Sequence, residues 1–351
     1  LCFGFFAVIF HYTQTMNTAL LILVSLLTIV AIRLVSKPKK GKKELIVQGV
    51  PVKEPEREGE TPIYRHIRAK DKLVESVEGI PTVVELARYC AKTHASKPFL
   101  GVREVLPDGT RGDFKWRTYA EVFDESVQFA HGIASLGLQP QDKVGVYSAN
   151  CVEWKVAELA CYMHSLIIVS LYDSLGPSAV EFIIQHAGVK IVLCNENLLE
   201  KFSQALSSIQ PGQISHVIVI PNLISKPKNK DELIEKIKNM GYQVESYADL
   251  LEKGKERNQN LVNPTPKDLA TIMYTSGTTG EPKGVMSSHG NILGCLAGFK
   301  AIDNFTGTYV YLSFLPLAHI MERVGQYSIA YKGGKIAFYS GDIRMLMEDF
   351  K

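Results

Sequence analysis

The sequence lacks the pairings that would tie it to a disulfide scaffold or a zinc site. Its six cysteines, at 2, 90, 151, 161, 194 and 295, form no CxxC pair and keep no metal-binding distance from a histidine. They read as reduced thiols of a cytosol-facing protein. Charge is not gathered into a stripe either, and the net value is only +3, so nucleic acid is not an expected partner. Two nucleotide signatures are missing as well. No GxxxxGK[ST] is present, which excludes a Walker A loop, and no GxGxxG follows an early strand, which weighs against a dinucleotide domain. Leu1 is not an initiator methionine. Both ends read as cut, with Met16 as the genuine start; the alternative is a second membrane-inserted segment before it.

Long apolar runs are scarce, with one exception. Residues 19–32 read ALLILVSLLTIVAI, and Leu34 and Val35 extend the run past Arg33. A bilayer-spanning helix needs about 20 residues. The run reaches that length with Asn17 and Thr18 in the interface and Arg33 snorkelling. Lys37, Lys39, Lys40, Lys42 and Lys43 follow at once, as on a cytoplasmic flank. A cleaved signal peptide would carry its charge before the apolar core, with a small-residue cleavage site after it. Residues 19–35 are therefore expected to be a transmembrane signal-anchor that contacts membrane lipid and leaves the body in the cytosol. The endoplasmic reticulum is the expected membrane, with the mitochondrial outer membrane and the peroxisome as alternatives. Residues 36–61, rich in Lys, Glu, Pro and Gly, read as a linker, and residues 62–351 as the folded body.

What is present in that body is the composition of a folded chain with a large core, 46% hydrophobic and 21% charged. Val84, Leu86, Ala87 and Cys90 are spaced for a helix, and residues 99–118 for a hairpin turning at Asp108-Gly109. Thr118 and Glu121 form a capping box opening a helix that closes at Gly137. Short apolar strands follow at 143–148, 165–171, 190–194 and 216–220, separated by helices. One opens at Asn150 as cap, another ends at Gly188, and a third lies around 198–209. Strand-helix alternation predicts a mainly parallel sheet covered by helices, an α/β fold. Residues 222–260 read as surface elements and a tolerant loop.

Ligands of such sheets bind beyond the carboxyl ends of the strands. A strand-like segment, 268–274, runs into YTSGTTGEPKGV, residues 274–285. Thr275, Ser276, Thr278 and Thr279 supply hydroxyls, and Gly277, Gly280 and Gly284 let backbone N–H groups approach a ligand. Lys283 adds a point charge, with Pro282 restricting the turn before it. This chemistry suits a polyphosphate; the bland alternative is an ordinary surface loop.

TSGTTGEPKGV closely resembles the phosphate-binding signature of the acyl-adenylate-forming superfamily, which includes acyl-CoA synthetases, luciferases and peptide-synthetase adenylation domains. Leu315-Pro316-Leu317-Ala318-His319, 36 residues after Lys283, resembles that superfamily's PxxH element. Alone, His319 would more readily be a structural histidine; beside the first motif it is read as lining the carboxylate pocket. Residues 150–176, 314–324 and 333–350 are similar to eukaryotic long-chain fatty acyl-CoA synthetases. The likeness covers roughly residues 62–351 and the larger, N-terminal lobe of that fold.

The resemblance implies an acid-thiol ligase using ATP, Mg²⁺ and CoA. A fatty carboxylate attacks the α-phosphate of ATP, giving acyl-AMP and pyrophosphate, and the CoA thiol then displaces AMP. Thr275, Ser276, Gly277, Thr278, Thr279, Gly280 and Lys283 would hold the phosphates, and Thr275 would reach the metal. His319 and Lys283 would serve the chemistry, and Tyr311, Phe314 and Ile320 are candidates for an acyl tunnel wall. The family's adenine, ribose and small-lobe lysine sites are expected beyond Lys351, so these 351 residues alone are expected to be inactive. Two other classes stay open: an adenylating ligase for a non-fatty acid, and a non-catalytic binding protein.

Overall fold

The computed structural model describes residues 49–53, 57–210, 212–222, 227–256, 258–275, 282–302 and 307–350. The expected anchor, residues 19–35, lies outside them; among the described residues no helix is long and apolar enough to cross a membrane. Two units divide between Leu73 and Val74. In the first, β1 (Gly49–Lys53) pairs antiparallel with β2 (Ile63–His66). The stretch read as linker thus contains a strand, where Val50 and Val52 alternate as a strand requires.

The second unit is built on two sheets. β3 (Pro98–Val105) and β4 (Arg111–Thr118) form the expected hairpin. Asp108 accepts both the N–H and the hydroxyl of Thr110, and Gly109 takes a φ of 83° that other residues resist. β12 (Val310–Ser313) and β13 (Lys335–Phe338) join them in the order β12-β13-β3-β4.

The larger sheet contains β5 (Lys143–Tyr147), β6 (Ile167–Leu171), β7 (Val189–Asn195), β8 (His216–Ile220), β9 (Gln243–Ser246), β10 (Leu269–Thr275) and β11 (Lys283–Ser288). Its order is β11-β10-β6-β5-β7-β8-β9, and every pair is parallel except β10 with β11. Every residue of β6 is buried, because helices cover both faces. Val146, Ile168 and Leu193 pack with helices Tyr119–Ala134, Val152–Met163 and Ile320–Tyr331 on one side. Tyr147, Val169 and Val192 pack with Pro177–Ala187, Leu199–Leu206 and Lys230–Asn239 on the other. The helix after β5 and the helix after β6 therefore lie on opposite faces. That arrangement opens a crevice at the carboxyl ends of the two strands.

Helix boundaries follow local chemistry. The Thr118–Glu121 capping box is formed in both directions, and Gly188 closes its helix with φ 71°. Helix Tyr247–Glu256 crosses Tyr119–Ala134 so closely that a Cβ on Gly254 would sit 1.8 Å from the Gln128 carbonyl oxygen. Two expectations need correction. Residues 222–260 are not merely surface elements, since they supply two helices and β9, the edge of the large sheet. The cap of Val152–Met163 is Cys151, whose Sγ accepts the Trp154 N–H. Asn150 is free for another task.

Candidate active site

β10 runs parallel to β6 and ends at Thr275, beyond the buried core. The chain returns as β11, and Thr275 pairs with Lys283 across the two strands. Both side chains are exposed. Ser276, Gly277, Thr278, Thr279 and Gly280 lie outside the described residues. Behind this pair the strand is pinned: the Tyr274 hydroxyl lies 2.6 Å from His186 Nδ1, and its ring meets Phe182 edge-on. Opposite Tyr274 stands Gly284, where a Cβ would come within 3.0 Å of Ile272 and 3.2 Å of the Tyr274 ring. Sequence reading took Lys283 as a loop residue. It heads a strand, and the period-two signal was lost because Val285 and Met286 are both exposed on this edge.

The second block is a turn leading into helix Ile320–Tyr331. His319 donates its backbone N–H to Pro316 and caps that helix, its Nδ1 accepting the Met321 N–H at 3.2 Å. Nδ1 is thereby used as an acceptor, so the neutral ring carries its proton on Nε2, the nitrogen left for a ligand. Asn150 holds the turn from the end of β5. Its Nδ2 donates to the Leu315 carbonyl at 2.6 Å and to Ser313 Oγ at 2.9 Å, and its Oδ1 accepts the Leu317 N–H at 2.7 Å. Of the tunnel-wall candidates, Tyr311 donates to Glu322 at 2.6 Å, Ile320 is half-buried and Phe314 is exposed.

A buried polar cluster lies beneath both blocks. Arg323, fully buried, donates Nε to the Leu317 carbonyl at 2.8 Å and Nη1 to Thr271 Oγ1 of β10 at 3.0 Å. Nη2 donates to Ser170 Oγ of β6, and Glu158 lies 3.2 Å from Nη1. Lys155 donates to Glu158 at 2.7 Å and sits 3.9 Å over the Tyr327 ring. Burial alone would raise the Glu158 carboxyl, but Lys155 and Arg323 outweigh it and hold the group below its ordinary range. Burial lowers the Lys155 ammonium, against Glu158. Asn150 in this role and Arg323 carry no local sequence signal, because Leu315 and Leu317 for the first and Thr271 and Ser170 for the second come from distant positions.

Beside the turn, a cleft of about 200 Å³ opens at the carboxyl ends of β5 to β8, lined among others by Asn150, Asp173, Asn195, Asn222 and Ser340. Glu153 also lines it. One carboxylate oxygen takes Arg117 at 3.3 Å, while Oε2 is buried without a partner among the described residues. Burial pushes this carboxyl up, against Arg117. Among the described residues no group of three or more His, Cys, Asp or Glu could hold a metal ion. A magnesium ion carried by nucleotide phosphates keeps several waters and needs few protein oxygens. The exposed Thr275 hydroxyl fits that need.

The comparisons agree with this architecture. Long chain acyl-CoA synthetase 4 of Arabidopsis thaliana is 36% identical over 293 residues, covering 82% of this chain and 43% of that protein. Long chain acyl-CoA synthetase 7, peroxisomal, from the same plant, is 37% identical over 299 residues, 83% of this chain and 41% of the relative. The chain thus spans less than half the length of these curated relatives. The A-PCP didomain of carboxylic acid reductase from Segniliparus rugosus, solved in complex with AMP, shares the fold. Its TM-score is 0.67 at 15% identity, over 77% of this chain and 40% of that one. A family match to AMP-binding enzyme covers residues 87–351, and with these relatives it shows that the chain belongs to the AMP-binding enzyme family.

Proposed function

We propose that this polypeptide forms the nucleotide- and acid-binding part of an ATP-dependent ligase that activates long-chain fatty acids as acyl-CoA. The observation that carries this reading is that two dissimilar blocks are tied to one sheet, since Arg323 links Leu317 of the turn to Thr271 of β10 and Ser170 of β6. One block presents Thr275 and Lys283, the other His319. The first suits phosphate, the second a carboxylate, and an adenylation needs both within reach of each other. The names of the plant relatives support the fatty acid as substrate.

In this mechanism Lys283 contributes a cationic contact to the ATP phosphates, while Ser276, Gly277, Thr278, Thr279 and Gly280 supply hydroxyl and backbone donors. Thr275 offers its hydroxyl to a nucleotide-borne Mg²⁺, which supplies neutralisation of phosphate charge when bound. His319, with Nε2 protonated, donates to the acid and orients it. The carboxylate oxygen bonds to the α-phosphorus as the bond to the departing pyrophosphate breaks. The CoA sulfur then bonds to the acyl carbon and AMP leaves. The amide-lined cleft beside the turn suits a ligand rich in hydrogen-bonding groups, as CoA is. Residues 19–35 serve as the membrane anchor that brings the enzyme to its lipid-partitioning substrate, with the body on the cytosolic side.

The test is pyrophosphate release and thioester formation by the protein expressed from its complete gene, given ATP, Mg²⁺, CoA and palmitate. ATP-dependent palmitoyl-CoA formation is expected. No adenylate with any carboxylic acid, in a protein that binds ATP, would overturn the ligase reading.

A further inference from the structure

We propose that Arg323 is a positioning residue for adenylation, holding the His319 turn in fixed register with the strand that leads into the phosphate loop. The inference rests on the site reading above. A guanidinium is planar, with five N–H donors in a rigid fork. In Arg323 that fork is divided among three elements: the Leu317 carbonyl of the turn, Thr271 of β10 and Ser170 of β6. Thr271 itself donates to the Ile168 carbonyl at 2.9 Å, so β10 and β6 are locked together where Arg323 grips them.

A buried cation needs carboxylate charge beside it, and Glu158, which Arg323 shares with Lys155, supplies it, with the buried Glu322 also acting on Lys155. Charge balance does not require the contacts to Leu317, Thr271 and Ser170. They tie the turn to the sheet. Leu317 is held twice, its N–H by Asn150 and its carbonyl by Arg323. Two residues on, His319 presents its ring from the helix cap. Thr271 lies four residues before Thr275 on the same face of β10, a separation of about 13 Å. A lysine at position 323 would keep the charge for Glu158 but could not span turn and strands with one planar fork.

Lys155 provides the contrast. It pairs with the same Glu158 and is equally buried, yet its hydrogen bond goes to its own helix, with neither the turn nor β10. Both side chains stabilise the core; only Arg323 reaches the site-bearing segments.

The experiment compares Arg323→Lys with Lys155→Met in the protein expressed from its complete gene, reading thermal midpoint and the kinetics of acyl-AMP formation. Misplaced reacting groups cost kcat. Arg323→Lys is expected to lower kcat by about ten- to a hundredfold, with the KM for ATP changed by less than about threefold. Lys155→Met is expected to lose thermal stability and keep kcat per folded molecule. The ¹⁵N imidazole spectrum, with His319 assigned through His319→Gln, should shift in Arg323→Lys and not in Lys155→Met. Should Arg323→Lys fail to fold, Thr271→Val removes the β10 anchor together with the bond to Ile168, leaves Arg323 its other partners, and is expected to reproduce the kcat loss and the His319 shift. Wild-type kcat and an unmoved His319 signal in the folded variant would overturn the proposal, as would parallel kcat losses in both variants. A wild-type protein that adenylates nothing would sink the function reading instead, and the His319 signal would still decide the positioning role.

Discussion

Thr275 and Lys283 face each other as a registered antiparallel pair where β10 gives way to β11. The pairing places a hydroxyl and an ammonium on one exposed rim, and it fixes their backbones while the core behind Thr275 stays buried. The backbone at this rim is ordered in advance of any ligand, and only the two exposed side chains are left to order on binding.

Lys283→Ala should therefore weaken the ATP step and spare the fold. Loss of a charge-assisted contact costs about 1.5–3 kcal/mol, or roughly ten- to a hundredfold in pyrophosphate release. The thermal midpoint should hold within about 2 °C, because an exposed edge residue contributes little to packing. Unchanged pyrophosphate release would remove Lys283 from the site.

Asn150→Asp probes the turn. The aspartate keeps an acceptor for the Leu317 N–H but sets an anionic oxygen against the Leu315 carbonyl, which Asn150 meets with a donor at 2.6 Å. Lost and repelled hydrogen bonds of this kind cost about 1–3 kcal/mol. The expected result is a raised KM for the acid with ATP affinity nearly unchanged. If the ATP dissociation constant rose instead, by equilibrium titration, the turn would belong to the nucleotide side.

Residues that signal through neighbours in sequence were legible in advance. The Thr118–Glu121 capping box, the Gly188 stop and the Asp108-Gly109 turn each depend on contacts within three or four residues, so the chain announces them. Alternation of strands and helices likewise foretold the parallel sheet. Asn150 shows where such reading fails. As an asparagine ahead of a helix it satisfied every local rule for a cap, yet Cys151 caps the helix and Asn150 reaches across to Leu315 and Leu317. Arg323 carries no local signal, since its acceptors on β6 and β10 are more than 50 residues away. β9 and β11 were missed because edge strands are half-exposed and lack the apolar run of β6.

His289 gives stability a definite pH dependence. It is fully buried, its two ring nitrogens have no partner among the described residues, and Tyr162 meets it edge-on at 4.9 Å. Burial pulls its pKa from 6.5 to about 4, with Asp268 and Glu158 pulling partly back. Between those values the unfolded chain binds the proton and the folded chain does not, so stability is lost as pH falls through this window. The contribution is on the order of 3 kcal/mol. Urea midpoints should fall from pH about 7 to about 4 less steeply in His289→Phe than in wild type. Identical slopes would show that His289 does not titrate this way.

The anchor is tested by extraction. Full-length protein should stay with membranes at alkaline pH, and deletion of residues 1–35 should release it. Under the proposed orientation, with the lysines at 37 to 43 on the cytosolic side, protease added to sealed microsomes should digest the body. A protected body would reverse the orientation, and a membrane-bound deletion variant would place the attachment elsewhere.

Chain length of the acid separates the fatty-acid reading from its relatives in chemistry. The phosphate rim and the His319 turn would serve any carboxylate, so they say nothing about the tail. Each methylene taken from water into an apolar wall stabilises binding by about 0.8 kcal/mol, close to fourfold in affinity. An apolar tunnel therefore grades acids steeply by length until it is full, whereas a pocket shaped for one aromatic ring cannot. With the complete protein, ATP, Mg²⁺ and CoA, thioester formation is expected to peak at acids of roughly 14 to 20 carbons. Acetate and coumarate should be poor. Tyr311→Ala and Phe314→Ala, opening the candidate wall, should move or flatten that optimum and leave the ATP dependence alone. A maximum at short or aromatic acids would replace the long-chain assignment while keeping adenylation, because the roles proposed for Thr275, Lys283 and His319 concern the ATP phosphates and the carboxylate, which every such reaction shares.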